Sequence, residues 1–222
     1  MACCRNPLAS PRCNVQTQHY ALSELVIVGA AFWSVWRLGR VAMWSGAIGA
    51  LIFGLIALVG ALRFGLGEVD AWQEMHQAAS QIGGAVAMAL VAMQLVLATG
   101  RLGDARGLPV AIGMGLATGL LAGLFRESAT IIFMAWLLAA ILAAWALPAE
   151  SVFQRAAAAA IVAVFLVNVL MVRKSAMLSE TASWHLFHLI IAFWLVTVSV
   201  LLYRQSVAAS RLDRAALGRD HT

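Results

Sequence analysis

His185 and His188 lie three residues apart in the apolar run Thr181 to Tyr203, directly after Trp184. Three residues is close to one helical turn, so the two imidazoles share a face. A third imidazole, His76, opens an earlier apolar run within DAWQEMHQAASQ. The chain has five histidines, and the other two, His19 and His221, fall in its tails. Three imidazoles around one point, with a fourth position open, suit a catalytic zinc ion, which acidifies a bound water toward a pKa of about 7. Carboxylates beside them can orient an imidazole or act as general base. Glu68, Asp70, Glu74, Glu127 and Glu180 fall at the same end of the apolar runs as these histidines.

For these residues to meet, the runs that carry them must be helices standing side by side. The chain has 222 residues, 63% hydrophobic and 11% charged, where a soluble domain carries roughly 25% charged residues. Seven apolar runs of helix length recur, near 22–38, 43–64, 73–99, 108–125, 129–147, 155–172 and 182–203. At 1.5 Å per residue, runs of this kind cross a hydrocarbon core of about 30 Å. The expected fold class is therefore all-α: an integral membrane bundle of about seven transmembrane helices over residues 22–203. A poorly ordered polar leader, 1–21, precedes it, and a basic tail, 204–222, follows. The alternating strands of a membrane barrel are absent, and no internal repeat suggests a two-half transporter. Breaks such as RLGR, RES and PAES are short, which implies antiparallel neighbours.

Nine of the 15 Lys and Arg residues fall on the side of the C-terminus. The positive-inside rule then places the N-terminus outside and the C-terminus in the cytoplasm, with a bacterial inner (plasma) membrane as the location. His76, His185 and His188 each lie a few residues into a helix that starts at the outer face, so they share a depth. The net charge of +5 is spread over loops and tail rather than gathered on a face, which argues against nucleic acid and leaves membrane lipid as the partner. Cys3, Cys4 and Cys13 all lie in the leader, with no zinc-binding spacing. That leader lacks the apolar core of a signal peptide.

The remaining helices read as scaffold. Trp33 and Trp36 mark an interface, and Arg63 is expected to snorkel outward. Asp70 and Gln73 have the spacing of a capping box. Gln73, His76, Gln77 and Ser80 follow one helical face, and Gln94, 18 residues beyond His76, is expected to point the same way. Gly115, Gly119 and Gly123 read as a close-packing stripe, and Asn168 as interhelical glue. Lys174 is the single lysine and sits at a helix end, which excludes a mid-membrane Schiff base. With no charged residue deep in any span, ion-coupled transport is disfavoured.

Seven helices, a histidine near the start of an early helix, and two more on the last helix after a tryptophan resemble the alkaline ceramidase and adiponectin-receptor superfamily. The resemblance implies a lipid amide hydrolase with zinc held by His76, His185 and His188, and with Ser80 and Asp70 as the supporting serine and aspartate. Two features depart from the family's pattern. Its last two histidines are spaced one residue wider, and its first histidine sits on the second helix after the serine, whereas here His76 sits on the third and Ser80 follows it. The expected function is thus a metal-dependent membrane hydrolase acting on a lipid-like amide or ester. Two other classes compete. One is a non-enzymatic membrane subunit or scaffold with interfacial histidines. The other is a haem-binding protein that pairs His76 with His185 or His188.

Overall fold

Each apolar run forms a helix, because a chain in lipid must satisfy its backbone polar groups internally. The computed structural model describes residues 18–100, 104–173 and 175–217. Cys3, Cys4 and Cys13, most of the leader, Arg101, Lys174 and the tail beyond 217 lie outside the described residues. The helices are α1 (Tyr20–Gly39), α2 (Trp44–Gly65), α3 (Gln73–Ala98), α4 (Asp104–Leu124), α5 (Ala129–Trp145), α6 (Val152–Val172) and α7 (Glu180–Leu217). All seven are long and apolar enough to cross a membrane, and among the described residues there is no strand.

Most ends fall within two residues of expectation; α4 and α6 start earlier and α7 ends later. Ser151 accepts a hydrogen bond from the Gln154 N–H at 3.2 Å, so α6 starts at Val152 rather than 155. Gly67 and Gly100 stand two residues past the ends of α2 and α3 with φ of 75° and 72°. This is the left-handed cap that glycine provides without strain. The helix α7 continues beyond the expected end of its span, to Leu217, 38 residues in all.

Six helices form a closed ring in the order α1, α2, α3, α5, α6, α7, and α7 returns to α1. The seventh, α4, packs outside the ring against α3. Gly115 and Gly119 of α4 face Leu90 and Val86 of α3, while Gly123 has nothing nearby. The expected glycine stripe is therefore a two-residue contact. On α2 the approach is closer. A Cβ at Gly49 would stand 2.8 Å from the Ala87 carbonyl oxygen of α3, and one at Gly54 would stand 2.7 Å from the Ala31 Cβ of α1.

Polar bonds stitch neighbouring helices, as an apolar solvent demands. The Ser45 hydroxyl donates to Leu90 O at 2.7 Å, and the Gly46 N–H donates to Gln94 Oε1 at 3.1 Å, joining α2 to α3. The Ser34 hydroxyl donates to Leu195 O at 3.2 Å, joining α1 to α7. Trp194, fully buried, donates from Nε1 to Val162 O at 3.1 Å, and Asn168 Nδ2 donates to Phe187 O at 2.9 Å; both join α6 to α7. Asn168 is thus glue, as expected.

Arg63 departs from expectation. It does not snorkel but is buried, donating from Nε to Val69 O at 2.7 Å and from a terminal nitrogen to Gln73 Oε1. The unpaired carbonyl of a tight loop is a better partner for a guanidinium than the lipid interface is. This bond also takes up the Gln73 side chain, and α3 starts without a side-chain cap, so the capping box does not form.

Because the Ala87 carbonyl belongs to a helix backbone, it cannot yield to a new side chain at Gly49. Gly49→Leu is expected to destabilise the bundle by about 1–3 kcal/mol, while Gly123→Leu, facing open space, leaves it unchanged. Thermal unfolding of the two variants in detergent, followed by circular dichroism, checks the contrast, and equal midpoints would refute the α2–α3 contact.

Candidate functional site

The ring encloses a cavity of about 670 Å³ at the end of the bundle where the odd-numbered helices begin. Two departures from α-helical geometry border it. Ala79–Gly83 of α3 and Asn168–Val172 of α6 each form a π-turn, and Ser80, Gln81 and Val169 from these turns line the cavity. A π-turn adds one residue to a helical turn and widens the helix locally; such turns recur at functional sites.

The π-turn in α3 also breaks the expected polar stripe. One extra residue rotates everything beyond it by about 100° relative to His76. Gln94 therefore points at the Gly46 N–H of α2 and does not line the cavity. His76 and Ser80 do line it.

His188 also reaches the cavity, and its environment sets its chemistry. Its Nδ1 lies 2.7 Å from Trp184 O. A carbonyl oxygen can only accept, so Nδ1 carries the proton. In the neutral ring Nε2 then presents a lone pair, and it faces Glu24 Oε1 at 3.3 Å. Glu24 comes from α1 and is 2% exposed; His188 is 7% exposed. Two acceptors facing each other at so short a distance require a proton on one of them or a cation between them.

His76 stands beside this pair. A Cβ at Gly60 would lie 2.5 Å from Glu24 Oε1 and 2.9 Å from His76 Cε1, so the absence of a side chain there lets the two approach. Five buried side-chain polar atoms have no partner among the described residues, and three of them, Glu24 Oε1, His76 Nδ1 and Trp184 Nε1, belong to residues that line this cavity. Buried polar atoms without partners mark places where an ion, a water or a ligand belongs.

The other expected site residues are placed elsewhere. His185 does not line the cavity; its ring packs against His19 and Tyr20 at centroid distances of 5.1 and 5.5 Å. Asp70 is exposed in the turn between α2 and α3. Among the described residues, no group of three or more His, Cys, Asp and Glu side chains stands ready to hold a metal ion. Trp184 stacks on His188 at 4.5 Å and packs edge-on against Phe64 at 5.4 Å.

Glu24 is the residue that sequence reasoning missed: it lies near the start of a span, not deep within it, and is nonetheless buried against the neighbouring helices. Its signal was present in the sequence. It is a lone carboxylate in the apolar run YALSELVIVGAAF, one turn into an odd-numbered helix, at the depth already assigned to His76 and His188.

Compared with known proteins, the chain matches no family model, no curated protein and no solved structure. The burial contrast between the two neighbouring histidines is directly measurable. Diethyl pyrocarbonate is expected to modify the half-exposed His185 at least about tenfold faster than His188, whose Nδ1–H is tied to a carbonyl in the interior. Peptide mass spectrometry over a time course reads the two rates, and faster modification of His188 would overturn the placement.

Proposed function

We propose that this chain is a membrane hydrolase that takes a lipid-like amide or ester into the ring cavity and cleaves it beside Glu24, His76 and His188. The observation that carries this reading is the pair of facing acceptors, Glu24 Oε1 and His188 Nε2, 3.3 Å apart on the wall of a largely apolar cavity. Desolvating a carboxylate costs several kcal/mol, which the single pairing with His188 offsets only in part. A reacting centre does offset it, because charge in a water-excluded site acts strongly on a bound substrate.

Zinc is the cofactor this reading assigns, with Glu24, His76 and His188 as ligands in place of the three histidines. The donor chemistry supports the exchange. Two imidazoles and one carboxylate would make up an established type of catalytic zinc set, with Glu24 and His188 side by side and His76 lining the same cavity. Among the described residues the three do not stand together as a ready metal-binding group. Zinc bound there supplies Lewis acidity and a water acidified toward a pKa of about 7. The chain's own residues do the remaining work. The Trp184 carbonyl holds the His188 ring with Nε2 toward the cavity, an orientation metal-binding histidines require of their other ring nitrogen. Phe53, Phe133, Phe165 and Ile191 surround an acyl chain and keep bulk water away from the bond to be cut. The Ser80 hydroxyl lies at the same cavity wall as His76, within the region where a leaving group departs.

The positive-inside bias supports an outer N-terminus and a cytoplasmic C-terminus in a bacterial inner membrane. The cavity then faces the outer leaflet, from which a lipid-like substrate enters sideways.

The test is metal content by mass spectrometry on detergent-purified protein, with an absorption spectrum of the same sample. About one zinc per chain is expected in the wild type, lost in Glu24→Gln and His188→Ala and retained in His185→Ala. Zinc lost with His185→Ala but kept with Glu24→Gln would restore the three-histidine set. A haem band would turn the site to electron transfer. Neither metal nor haem, in protein purified without chelator, would leave a scaffold.

A further inference from the structure

Above Glu24, His76 and His188, the cavity rim carries two opposite charges. Arg173 closes the π-turn end of α6, and Glu180 opens α7; both line the cavity and both are exposed. Among the described residues neither is in an ion pair: the one such pair is Glu24 with His188. The Arg173 guanidinium rests 5.7 Å from the centre of the Phe187 ring, which holds it over the opening at little entropic cost. Two unpaired charges of opposite sign at one opening complement a ligand that itself carries both signs.

The spacing below the rim fits the same ligand. From Glu180 to His188 is eight residues along α7, or about 12 Å. From Arg173 back to Phe165 on α6 is also eight residues, a shorter rise because the π-turn Asn168–Val172 intervenes. Polar groups therefore occupy the rim, the Glu24–His188 pair lies about 12 Å along α7 from Glu180, and Phe53, Phe133 and Phe165 line the cavity as well. Glu24, buried and with no hydrogen bond at Oε1 beyond its pairing with His188, lies in this middle zone. A molecule with a charged head, a polar linker and one apolar tail follows the same order. Its volume suits a cavity of about 670 Å³, in the ordinary range of roughly 300–1,000 Å³ for ligand sites.

We propose that the cavity binds a zwitterionic single-chain amphiphile of the lysophospholipid type. Its phosphate sits on Arg173, its ammonium on Glu180, its ester beside Glu24 and His188, and its acyl chain against Phe53, Phe133 and Phe165. This rests on the reading of the cavity as a site for a lipid-like substrate, and it names the head of that substrate. Guanidinium and phosphate pair strongly. An ammonium beside the carboxylate of Glu180 supplies the second contact, so a neutral head leaves both rim charges without a partner.

Binding, read by native mass spectrometry of the delipidated full chain in a non-ionic detergent, tests this without depending on turnover. The probes are lysophosphatidylcholine, lysophosphatidic acid and monoacylglycerol of one chain length. The zwitterion is expected to bind about tenfold more tightly than the neutral probe, and Arg173→Gln and Glu180→Gln each to remove about threefold of that preference. The probe comparison on wild-type protein stands even if a variant misfolds. Equal binding of the zwitterionic and neutral probes overturns the headgroup assignment and leaves the hydrolase reading in place. Tighter binding of the anionic probe than of the zwitterion also overturns it, because Glu180 would then contribute nothing. Failure of all three probes to bind overturns the amphiphile cavity and the lipid hydrolase reading with it.

Discussion

A carboxylate 2% exposed inside a helical bundle is the constraint around which this molecule is arranged. Lipid offers Glu24 no partner, and only the cavity it lines and the helices around it can supply one. Its oxygen faces an imidazole nitrogen whose partner nitrogen is already committed to the Trp184 carbonyl. The proton or cation that belongs between them is therefore localised by the backbone of α7, and the direction of the His188 ring is set one turn away from the ring itself. Trp184 contributes twice, with its carbonyl as acceptor and with its indole stacked on the imidazole at 4.5 Å.

Holding three helices around that point requires the rest of the ring. The Tyr20 hydroxyl meets Thr181 Oγ1 at 3.1 Å and, with Ser34, ties α1 to α7. Gly60 lets Glu24 and His76 stand side by side where any side chain would intrude. The Arg63 bonds to Val69 O and Gln73 fix the loop that delivers α3. On the far wall, Asn168 binds α6 to α7 at the start of the second π-turn. Packing against lipid supplies little net driving force between helices, so these close approaches and polar stitches set the geometry.

Much of this was legible in the sequence, and what was not has identifiable causes. Seven spans follow from hydropathy and length, because the bilayer imposes one structural solution on such runs. The shared depth of His76 and His188 follows from antiparallel alternation. The same argument applied to Glu24, but a single carboxylate near a helix start is easily taken for a solvated end. Which of two neighbouring histidines faces inward was not legible, since a helix face spans both and only the position of α1 separates them: His185 meets Tyr20 and His188 meets Glu24. Gln94 was misplaced because no propensity rule marks a π-turn, and a single extra residue alters every phase beyond it.

That extra residue has a consequence for how the sequence can change. A π-turn is locally less favourable than the α-helix it interrupts, so losing one residue within 79–83 would improve the hydrogen bonding of α3. The same deletion would turn His76 about 100° relative to the lower half of the helix, which Ser45, Gly46 and Gly49 lock against α2. The imidazole would leave the cavity while the fold survived. Substitutions along α3 are thus free to vary within packing limits, but its length between His76 and Leu90 is not. In this helix the number of residues, more than their identity, carries the aim of the site.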